Sequence, residues 1–322
     1  MKSNSIFCTR SVNCEKESDA VVCCVTCEKH LEMFFWSMKS FYLNSGIENL
    51  KLWVFNDGSL SDTSKTLIRE HFVGCEVIDE EVFEEIKTVF SNYVCCKKFE
   101  MGTRKTGQTW TLLKLFGYHI LLRRRKKSYA ISLDSDILWY RRGEEFLRAF
   151  QERKPFGITG GQGREYYVYD PFYIMKFLEV TLLGNFNSGF MGFNANIFDF
   201  DFVEQFLEKV ERFPHEINLG GIRVSTANQT NRQANKNLGP FSWESSWVFS
   251  SLEETIHSAL FSRQEICKIW PGRRLDESFE YGYADTTIDR NTVMTHFAGP
   301  EGKQFFSQGL SYLRALNSSW LE

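Results

Sequence analysis

The chain has 322 residues, a formal net charge of −3 at pH 7 and 43% hydrophobic residues. This length suits one large domain or two small ones, and the hydrophobic fraction is sufficient for a sizeable buried core. The slightly acidic balance argues against a protein dedicated to nucleic acid, so we expect no nucleic-acid partner.

The cysteines do not suggest a disulfide framework, because there are nine of them at irregular spacing. Cys24 and Cys27 form a C-x-x-C pair, but no second pair or close histidine set completes a zinc site. Residues 1–16 lack the apolar core of a signal peptide, and no segment approaches the ~20 apolar residues that span a bilayer. We therefore expect reduced thiols and a cytoplasmic protein.

The first half of the chain predicts alternating strands and helices after a flexible leader at residues 1–18. Short apolar, β-branched runs predict the strands, and apolar residues at helical spacing predict the helices. In chain order we expect a strand at 20–26, a helix at 31–43, a strand at 50–55, a helix at 61–72, a strand at 75–78, a helix at 109–122 and a strand at 129–133. This alternation predicts an α/β fold with a mostly parallel central sheet flanked by helices.

The second half is less regular, and no internal repeat or clean linker divides the chain. We expect a strand at 156–159, an aromatic, glycine-containing segment at 187–193, a helix at 198–213, a polar loop at 219–240, a helix at 243–252 and a strand at 293–297. The sequence thus predicts a single domain at 19–322. Its nucleotide half would cover about 19–140 and its acceptor half about 141–322.

Two aspartates follow the strand predicted at 129–133. Asp134 and Asp136 are two residues apart, so on an extended chain both carboxylates point to the same side. Neighbouring carboxylates repel each other, and a hard divalent cation removes that conflict. Magnesium and manganese bind few protein carboxylates and complete their shells with water and substrate phosphates. The segment therefore predicts a divalent-metal site that binds a diphosphate.

Four segments occur in an order that resembles the GT-A glycosyltransferases, which use nucleotide-diphospho-sugars. They are FNDGS from residue 55, YAISLDSDILW from 129, FNSGFMGFN from 186 and HFAGPEGK from 296. The order is most similar to the retaining family that includes glycogenin and the lipooligosaccharide galactosyltransferases, over about residues 19–305. The resemblance implies a GT-A (Rossmann-like) fold and transfer of a sugar from a UDP-sugar to an acceptor hydroxyl, with retention.

The resemblance implies a metal site of Asp134, Asp136 and His296 that holds Mn²⁺ or Mg²⁺. An imidazole suits manganese better than magnesium. Lys303 would neutralise the departing diphosphate. The family usually places this lysine one residue closer to the histidine and follows it with Pro-Trp, which is absent here. A histidine between apolar neighbours is equally typical of a satisfied core residue.

The resemblance also implies residues that contact the base and the phosphates. Asp57 would bind the imino group of uracil, although Asn-Asp-Gly is also ordinary turn chemistry. The backbone of Thr26 would lie against the base, and Ser135 would contact the donor. A basic residue before the metal strand would meet a phosphate or the sugar, for which Lys105 is the first candidate and Lys114 the other.

A second group would face the donor sugar. Asn187 is a candidate catalytic residue, and Ser188 and Gly189 candidate donor-binding residues, unless the segment is a core strand with a glycine kink. Glu244 resembles the acidic or amide residue that faces donor and acceptor. A carboxylate at a helix N-terminus is also common for dipole reasons.

Other interpretations remain open at this point. A sugar-phosphate nucleotidyltransferase would share the sheet and the metal, and a transferase-like fold without activity could act as a binding module. The acceptor could be a glycan, a lipid or a protein. A basic run suggests either a helix C-terminus or peripheral contact with an anionic membrane; it consists of Arg123, Arg124, Arg125, Lys126 and Lys127.

Overall fold

The computed structural model describes most of the chain in ten segments. They are residues 6, 9–159, 171–183, 186–212, 216–219, 222–225, 252–264, 268–270, 281–283 and 288–316. The predicted residue Glu244 and nearly all of the helix expected at 243–252 lie outside these segments.

The strands arise from the short apolar runs of the sequence. In the described segments they are β1 (Val12–Asn13), β2 (Ala20–Thr26), β3 (Leu52–Asn56), β4 (Phe72–Val73), β5 (Glu76–Ile78), β6 (Tyr129–Leu133), β7 (Ile137–Trp139), β8 (Phe156–Thr159), β9 (Phe186–Asn194), β10 (Glu216–Leu219), β11 (Ile222–Ser225), β12 (Lys268–Trp270), β13 (Tyr281–Tyr283) and β14 (Met294–His296).

The helices connect these strands along the chain. They are α1 (Leu31–Asn44), α2 (Asp62–His71), α3 (Glu81–Phe90), α4 (Val94–Thr106), α5 (Thr109–Leu112), α6 (Tyr118–Arg124), α7 (Glu144–Gln151), α8 (Pro171–Leu178), α9 (Phe200–Glu211), α10 (Leu252–Ser262), α11 (Gly299–Lys303) and α12 (Phe306–Leu316). A 3-10 turn at Glu28–His30 precedes α1. A π-helical turn at Leu113–Gly117 joins α5 to α6.

Seven strands form the central sheet in the order β12-β8-β9-β6-β2-β3-β5. The pairs β12–β8, β6–β2, β2–β3 and β3–β5 are parallel. Strand β9 runs antiparallel to both β6 and β8. The expected α/β fold with a mostly parallel sheet is therefore confirmed.

The core lies on both faces of this sheet. Val21 and Cys23 of β2 belong to one buried apolar cluster, whereas Val22 and Cys24 belong to another. Because side chains alternate along a strand, the two clusters occupy opposite faces. A sheet buried on both faces explains why β2 reads as an uninterrupted apolar run.

A second, smaller sheet has the order β13-β14-β7. Strand β14 pairs with β7 in antiparallel register, so His296 lies opposite Ile137. This pairing brings the end of β14 next to the two aspartates.

The structure differs from the predicted elements in several places. Helices α3, α4, α7 and α8 occur where no element was predicted, and β11 falls inside the loop expected at 219–240. Helix α4 shows why such helices are hard to recognise: it exposes Val94 and Met101 while burying Cys95 and Cys96. Its apolar pattern therefore does not match a simple buried stripe.

Part of the segment expected as a flexible leader at 1–18 contacts the rest of the domain. Strand β1 pairs with β4. The buried ammonium of Lys39 donates hydrogen bonds to the carbonyl oxygens of Thr9 (3.3 Å) and Arg10 (2.7 Å). These contacts come from distant parts of the chain, which is why local sequence did not indicate them.

The described cysteines are free thiols. Cys27 and Cys75 are half-buried, and the others are buried: Cys14, Cys23, Cys24, Cys95 and Cys96. Burial raises the pKa of Cys95 to about 12 and that of Cys75 to about 11. Such thiols are poor nucleophiles and poor metal ligands. No helix in the described segments is both long and apolar enough to cross a membrane.

Candidate active site

A cavity of about 440 Å³ opens at the carboxyl ends of the parallel strands. Ligands of open α/β sheets bind at this edge. The described residues that line the cavity are Val25, Thr26, Cys27, His30, Asp57, Trp110, Lys114, Asp134, Ser135, Asp136, Asn187, Ser188, Glu253, Glu254, His296, Ala298, Gly299 and Lys303. Most of the residues proposed from the sequence are thus brought to one place.

Asp134, Asp136 and His296 form a cluster that suits a metal ion. Each offers one ligand atom, and these atoms lie within 4.8 Å of one another. The Nε2 atom of His296 is 3.2 Å from Oδ1 of Asp136 and 3.7 Å from Oδ2 of Asp134. Two carboxylate oxygens and one imidazole nitrogen fit Mn²⁺, and the oxygens alone would also attract Mg²⁺.

Backbone hydrogen bonds fix the loop that carries the two aspartates. The amide of Asp134 donates to the carbonyl of Gly189 (2.8 Å), and the hydroxyl of Ser37 donates to the carbonyl of Asp134 (3.0 Å). The amide of Phe297 donates to the carbonyl of Asp136 (2.9 Å). The loop is therefore held by α1, β9 and the end of β14 at once.

The structure gives a steric reason for a glycine at position 189. A Cβ atom at this position would stand 2.2 Å from Cε1 of His296. The missing side chain makes room for the imidazole, and Gly189 is not among the described residues that line the cavity. Gly189 therefore helps to seat His296, and its contact with the donor sugar stays a prediction.

Lys114 lies in the π-helical turn and is 3% exposed. Its ammonium is 2.9 Å from Oδ1 of Asp134 and donates to the hydroxyl of Ser188 at 3.0 Å. Burial would lower the pKa of Lys114, but Asp134 and Glu253 outweigh burial and raise it. By contrast, Lys105 is exposed and does not line the described part of the cavity. The structure therefore favours the other candidate of the predicted pair.

The first turn of α10 brings a second pair of carboxylates into the cavity. Oε2 of Glu253 accepts a hydrogen bond from the hydroxyl of Ser188 (3.0 Å). Oε1 of Glu254 accepts one from the amide group of Asn187 (2.9 Å), whose own Oδ1 accepts from the backbone of Gly189 (2.9 Å). Asn187 and Ser188 thus connect β9 to α10.

The two glutamates differ in charge because their surroundings differ. Burial would raise the pKa of Glu253, but the ammonium of Lys114 and the imidazole of His257 hold it below its ordinary value. Burial and the neighbouring charge of Glu253 raise the pKa of Glu254 to about 8. At neutral pH one carboxylate is charged and the other is protonated.

Lys303 reaches the cluster from α11, although its spacing from His296 departs from the family pattern. Its ammonium is 3.8 Å from Oδ2 of Asp136 and 3.5 Å from Nε2 of His30. Burial would raise the pKa of Asp136, but His296 and Lys303 outweigh burial and lower it. A cation therefore stands beside the candidate metal site.

The residues expected to contact the base and the donor also line the cavity. Asp57 is half-buried. Its Oδ1 atom accepts hydrogen bonds from the amide (2.9 Å) and hydroxyl (2.6 Å) of Ser59. Its amide donates to the carbonyl of Thr26 at 3.3 Å. Asp57 therefore has the turn role that the sequence allowed and also lines the cavity, as do Thr26 and Ser135.

Among the lining residues that sequence reasoning missed are four with ionisable or aromatic side chains: His30, Trp110, Glu253 and Glu254. A signal for the glutamates was present, since two adjacent acidic residues begin an apolar helix, but it has the usual dipole explanation. Trp110 is 42% exposed, and a lone aromatic residue gives no sequence signal of its position.

The basic run at residues 123–127 makes internal contacts. The guanidinium of Arg125 is 2.5 Å from a carboxylate oxygen of Glu76, and the ammonium of Lys127 is 3.0 Å from one of Glu17. The side chains of Arg123 and Arg124 also have protein partners. Much of this charge is therefore engaged within the domain.

No family model and no curated protein sequence matches the chain. Among solved structures, the bifunctional glycosyltransferase WbbM is similar over 97% of this chain and 53% of its own, with a TM-score of 0.50 and 11% identity. Mouse xyloside xylosyltransferase 1 is similar over 60% of this chain and 75% of its own, with a TM-score of 0.40 and 16% identity. Core-mannan synthase A from Aspergillus fumigatus, in its Mn/GDP form, is similar over 62% and 68%, with a TM-score of 0.39 and 10% identity.

At such low identity a structural likeness shows the fold and not the reaction. WbbM aligns with almost the whole chain, which spans about half of that protein. The particular retaining family suggested by the motifs stays a prediction. The chain has the α/β fold of glycosyltransferases of the GT-A type.

Proposed function

We propose that the chain is a metal-dependent glycosyltransferase that moves a sugar from a UDP-sugar to an acceptor hydroxyl. The main support is the cluster of Asp134, Asp136 and His296, whose ligand atoms lie within 4.8 Å. It stands at the edge of the sheet where nucleotides bind in this kind of fold. The ammonium groups of Lys114 and Lys303 flank it.

The chemistry required is stabilisation of a departing diphosphate. Negative charge grows on the diphosphate oxygens as the bond to the anomeric carbon breaks, and preorganised positive groups lower that barrier. A bound Mn²⁺ or Mg²⁺ would act as a Lewis acid at these oxygens. Lys303 supplies a cation on the cavity side of Asp136, while Lys114 holds Asp134 in place.

The remaining roles are those that the family resemblance implies, and their support is that the residues line the cavity. Asp57 and Thr26 would contact the uracil, and Ser135 the donor. Asn187 and Ser188, anchored by the glutamates of α10, would face the donor sugar. Retention rests on the family resemblance alone. The acceptor hydroxyl belongs to a glycan, a lipid or a protein, and we infer a cytoplasmic site of action from the buried free thiols.

The test is a panel of UDP-sugars with Mn²⁺, in which UDP release is measured with water as acceptor. Asp136→Asn should reduce release by at least about a hundredfold, because a carboxylate ligand is lost where charge develops. Asp62→Asn is the matched control, since Asp62 is fully exposed on α2. Without Mn²⁺, the melting temperatures of both variants and the parent should be nearly equal. Normal turnover by Asp136→Asn would show that the metal assignment is wrong.

Further assays distinguish the transferase from the alternative functions. A sugar-phosphate nucleotidyltransferase would release pyrophosphate from UTP and a sugar phosphate. It would normally need a glycine-rich loop after β2, where this chain has a 3-10 turn at Glu28–His30 without glycine. A binding module without activity would bind UDP-sugar with Mn²⁺ and release nothing. Peripheral membrane contact through residues 123–127 would appear as salt-sensitive binding to anionic vesicles.

A further inference from the structure

His30 lies beside the place where a diphosphate would bind. It ends the 3-10 turn that follows β2, is half-buried and lines the cavity. Its Nε2 atom is 3.5 Å from the ammonium nitrogen of Lys303, which in turn is 3.8 Å from Oδ2 of Asp136. The imidazole is thus separated from the candidate metal site by a single lysine side chain.

The pair of His30 and Lys303 is poised to accept negative charge. Burial and the ammonium of Lys303 lower the pKa of His30, and Lys29 acts in the same direction. Asp136 and Asp57 act in the opposite direction without reversing the balance. At neutral pH the imidazole is therefore uncharged, and Nε2 can accept a hydrogen bond from Lys303.

A bound diphosphate changes this balance, because its oxygens bring negative charge next to both groups. The ammonium of Lys303 then has a stronger partner than the imidazole, and a positive charge on His30 becomes favourable. The ammonium of Lys303 and the protonated Nε2 of His30 would each donate a hydrogen bond to a phosphate oxygen.

We propose that His30 is a diphosphate-binding residue that takes up one proton from solvent as the nucleoside diphosphate enters the cavity, and gives it back when the nucleotide leaves. This inference rests on the proposed function, since it assumes that a diphosphate occupies the cavity. Its consequence is that product release is linked to loss of a proton. The affinity for UDP should then rise as the pH falls.

The test is isothermal titration calorimetry of UDP into Mn²⁺-saturated protein at pH 7, in two buffers with different heats of ionisation. The parent should take up more protons per bound UDP than His30→Gln, which keeps a polar side chain of similar size but cannot titrate. Asp62→Asn, a change at an exposed residue of α2 that is not among the groups shifting the pKa of His30, should match the parent. The ratio of parent to His30→Gln affinity should grow by up to about tenfold per unit of falling pH.

Because the same ligand is used throughout, the proton equilibria of UDP itself cancel in the comparison. Equal proton uptake by the parent and His30→Gln would overturn the inference. Should His30→Gln fail to melt cooperatively, His30→Asn serves in the same comparison. A purely structural role of His30 in holding Lys303 would alter affinity equally at all pH values, and that result too would overturn it.

Inorganic pyrophosphate as a second ligand separates this inference from the proposed function. If pyrophosphate binds to the parent and UDP does not, the uridine donor is wrong, and the pyrophosphate titrations decide the role of His30. If neither ligand binds to the parent in the presence of Mn²⁺, both the diphosphate site and the role of His30 are wrong.

Discussion

Gly189 has no side chain at a point where the imidazole of His296 occupies the neighbouring space. A Cβ atom there would stand 2.2 Å from His296 and 2.8 Å from Oδ1 of Asn187. We expect Gly189→Ala to displace the imidazole, to lower the free energy of unfolding by about 1–3 kcal/mol and to weaken Mn²⁺ binding roughly tenfold or more. Titration with Mn²⁺ and chemical denaturation measure the two effects.

Gly192 offers a matched control on the same strand. A Cβ atom there would stand 2.2 Å from the ring of Phe156. Phe156 is not a candidate metal ligand. Gly192→Ala should therefore lose stability of similar size without a specific loss of Mn²⁺ affinity. Equal Mn²⁺ affinity in Gly189→Ala and Gly192→Ala would contradict the role assigned to Gly189.

The raised pKa of Glu254 predicts that the stability of the protein depends on pH. Burial and Glu253 raise the pKa of Glu254 from 4.5 to about 8. Between these two pH values the native state keeps a proton that the unfolded state has lost. Stability that depends on this proton is complete below about pH 4.5 and is lost as the pH rises through about 8. Glu254→Gln keeps the acceptor for Asn187 but has nothing to titrate.

We therefore expect the stability of the parent, relative to Glu254→Gln, to fall as the pH rises from 5 to 8, by at most about 1.4 kcal/mol per pH unit. Denaturant unfolding of both proteins across this range measures the difference. Parallel stability curves would show that Glu254 does not carry the proton.

At the scale of secondary structure, pairing between distant strands creates the site. Strand β6 ends at Leu133 and delivers the aspartates, but His296 arrives because β14 pairs with β7. The sequence predicted β6 and β14, since each is a short apolar run, but it did not predict β7. It could not predict the register of β14 against β7, because hydrogen bonds between strands depend on tertiary packing.

The π-helical turn at Leu113–Gly117 shows a similar limit. The apolar spacing predicted one helix over 109–122, and the structure has a helix there that widens for one turn. Such turns are frequent at functional sites, because the wider turn re-aims a side chain. Here the turn carries Lys114, whose ammonium is 2.9 Å from Asp134. The family resemblance suggested Lys105 first and Lys114 second, because no local pattern indicated which ammonium reaches the aspartates.

For the whole molecule, the candidate metal cluster joins residues that are far apart in the sequence. Asp134 and Asp136 belong to the first half of the chain and His296 to its end, so a bound ion should stabilise the native state and not the unfolded one. At a concentration of one hundred times the dissociation constant, this linkage is worth about 2.7 kcal/mol. We expect Mn²⁺ to raise the melting temperature and a chelator to reverse the rise.

The matched variants make this thermal test specific. Asp136→Asn should lose the Mn²⁺-dependent rise, whereas the exposed Asp62→Asn should keep it. An equal rise in both variants would mean that the ion binds elsewhere. A melting temperature that does not respond to Mn²⁺ in the parent would contradict a preformed metal site.

The sequence by itself determined the layered α/β fold and the paired aspartates. Both depend on short-range order: apolar runs form strands, and side chains two residues apart share one side of an extended segment. Tertiary structure decided which other residues join Asp134 and Asp136. Lys114, Glu253 and Glu254 come from helices whose register against β9 is set by packing. Their contacts are between residues far apart in the chain, and no local pattern encodes such distances.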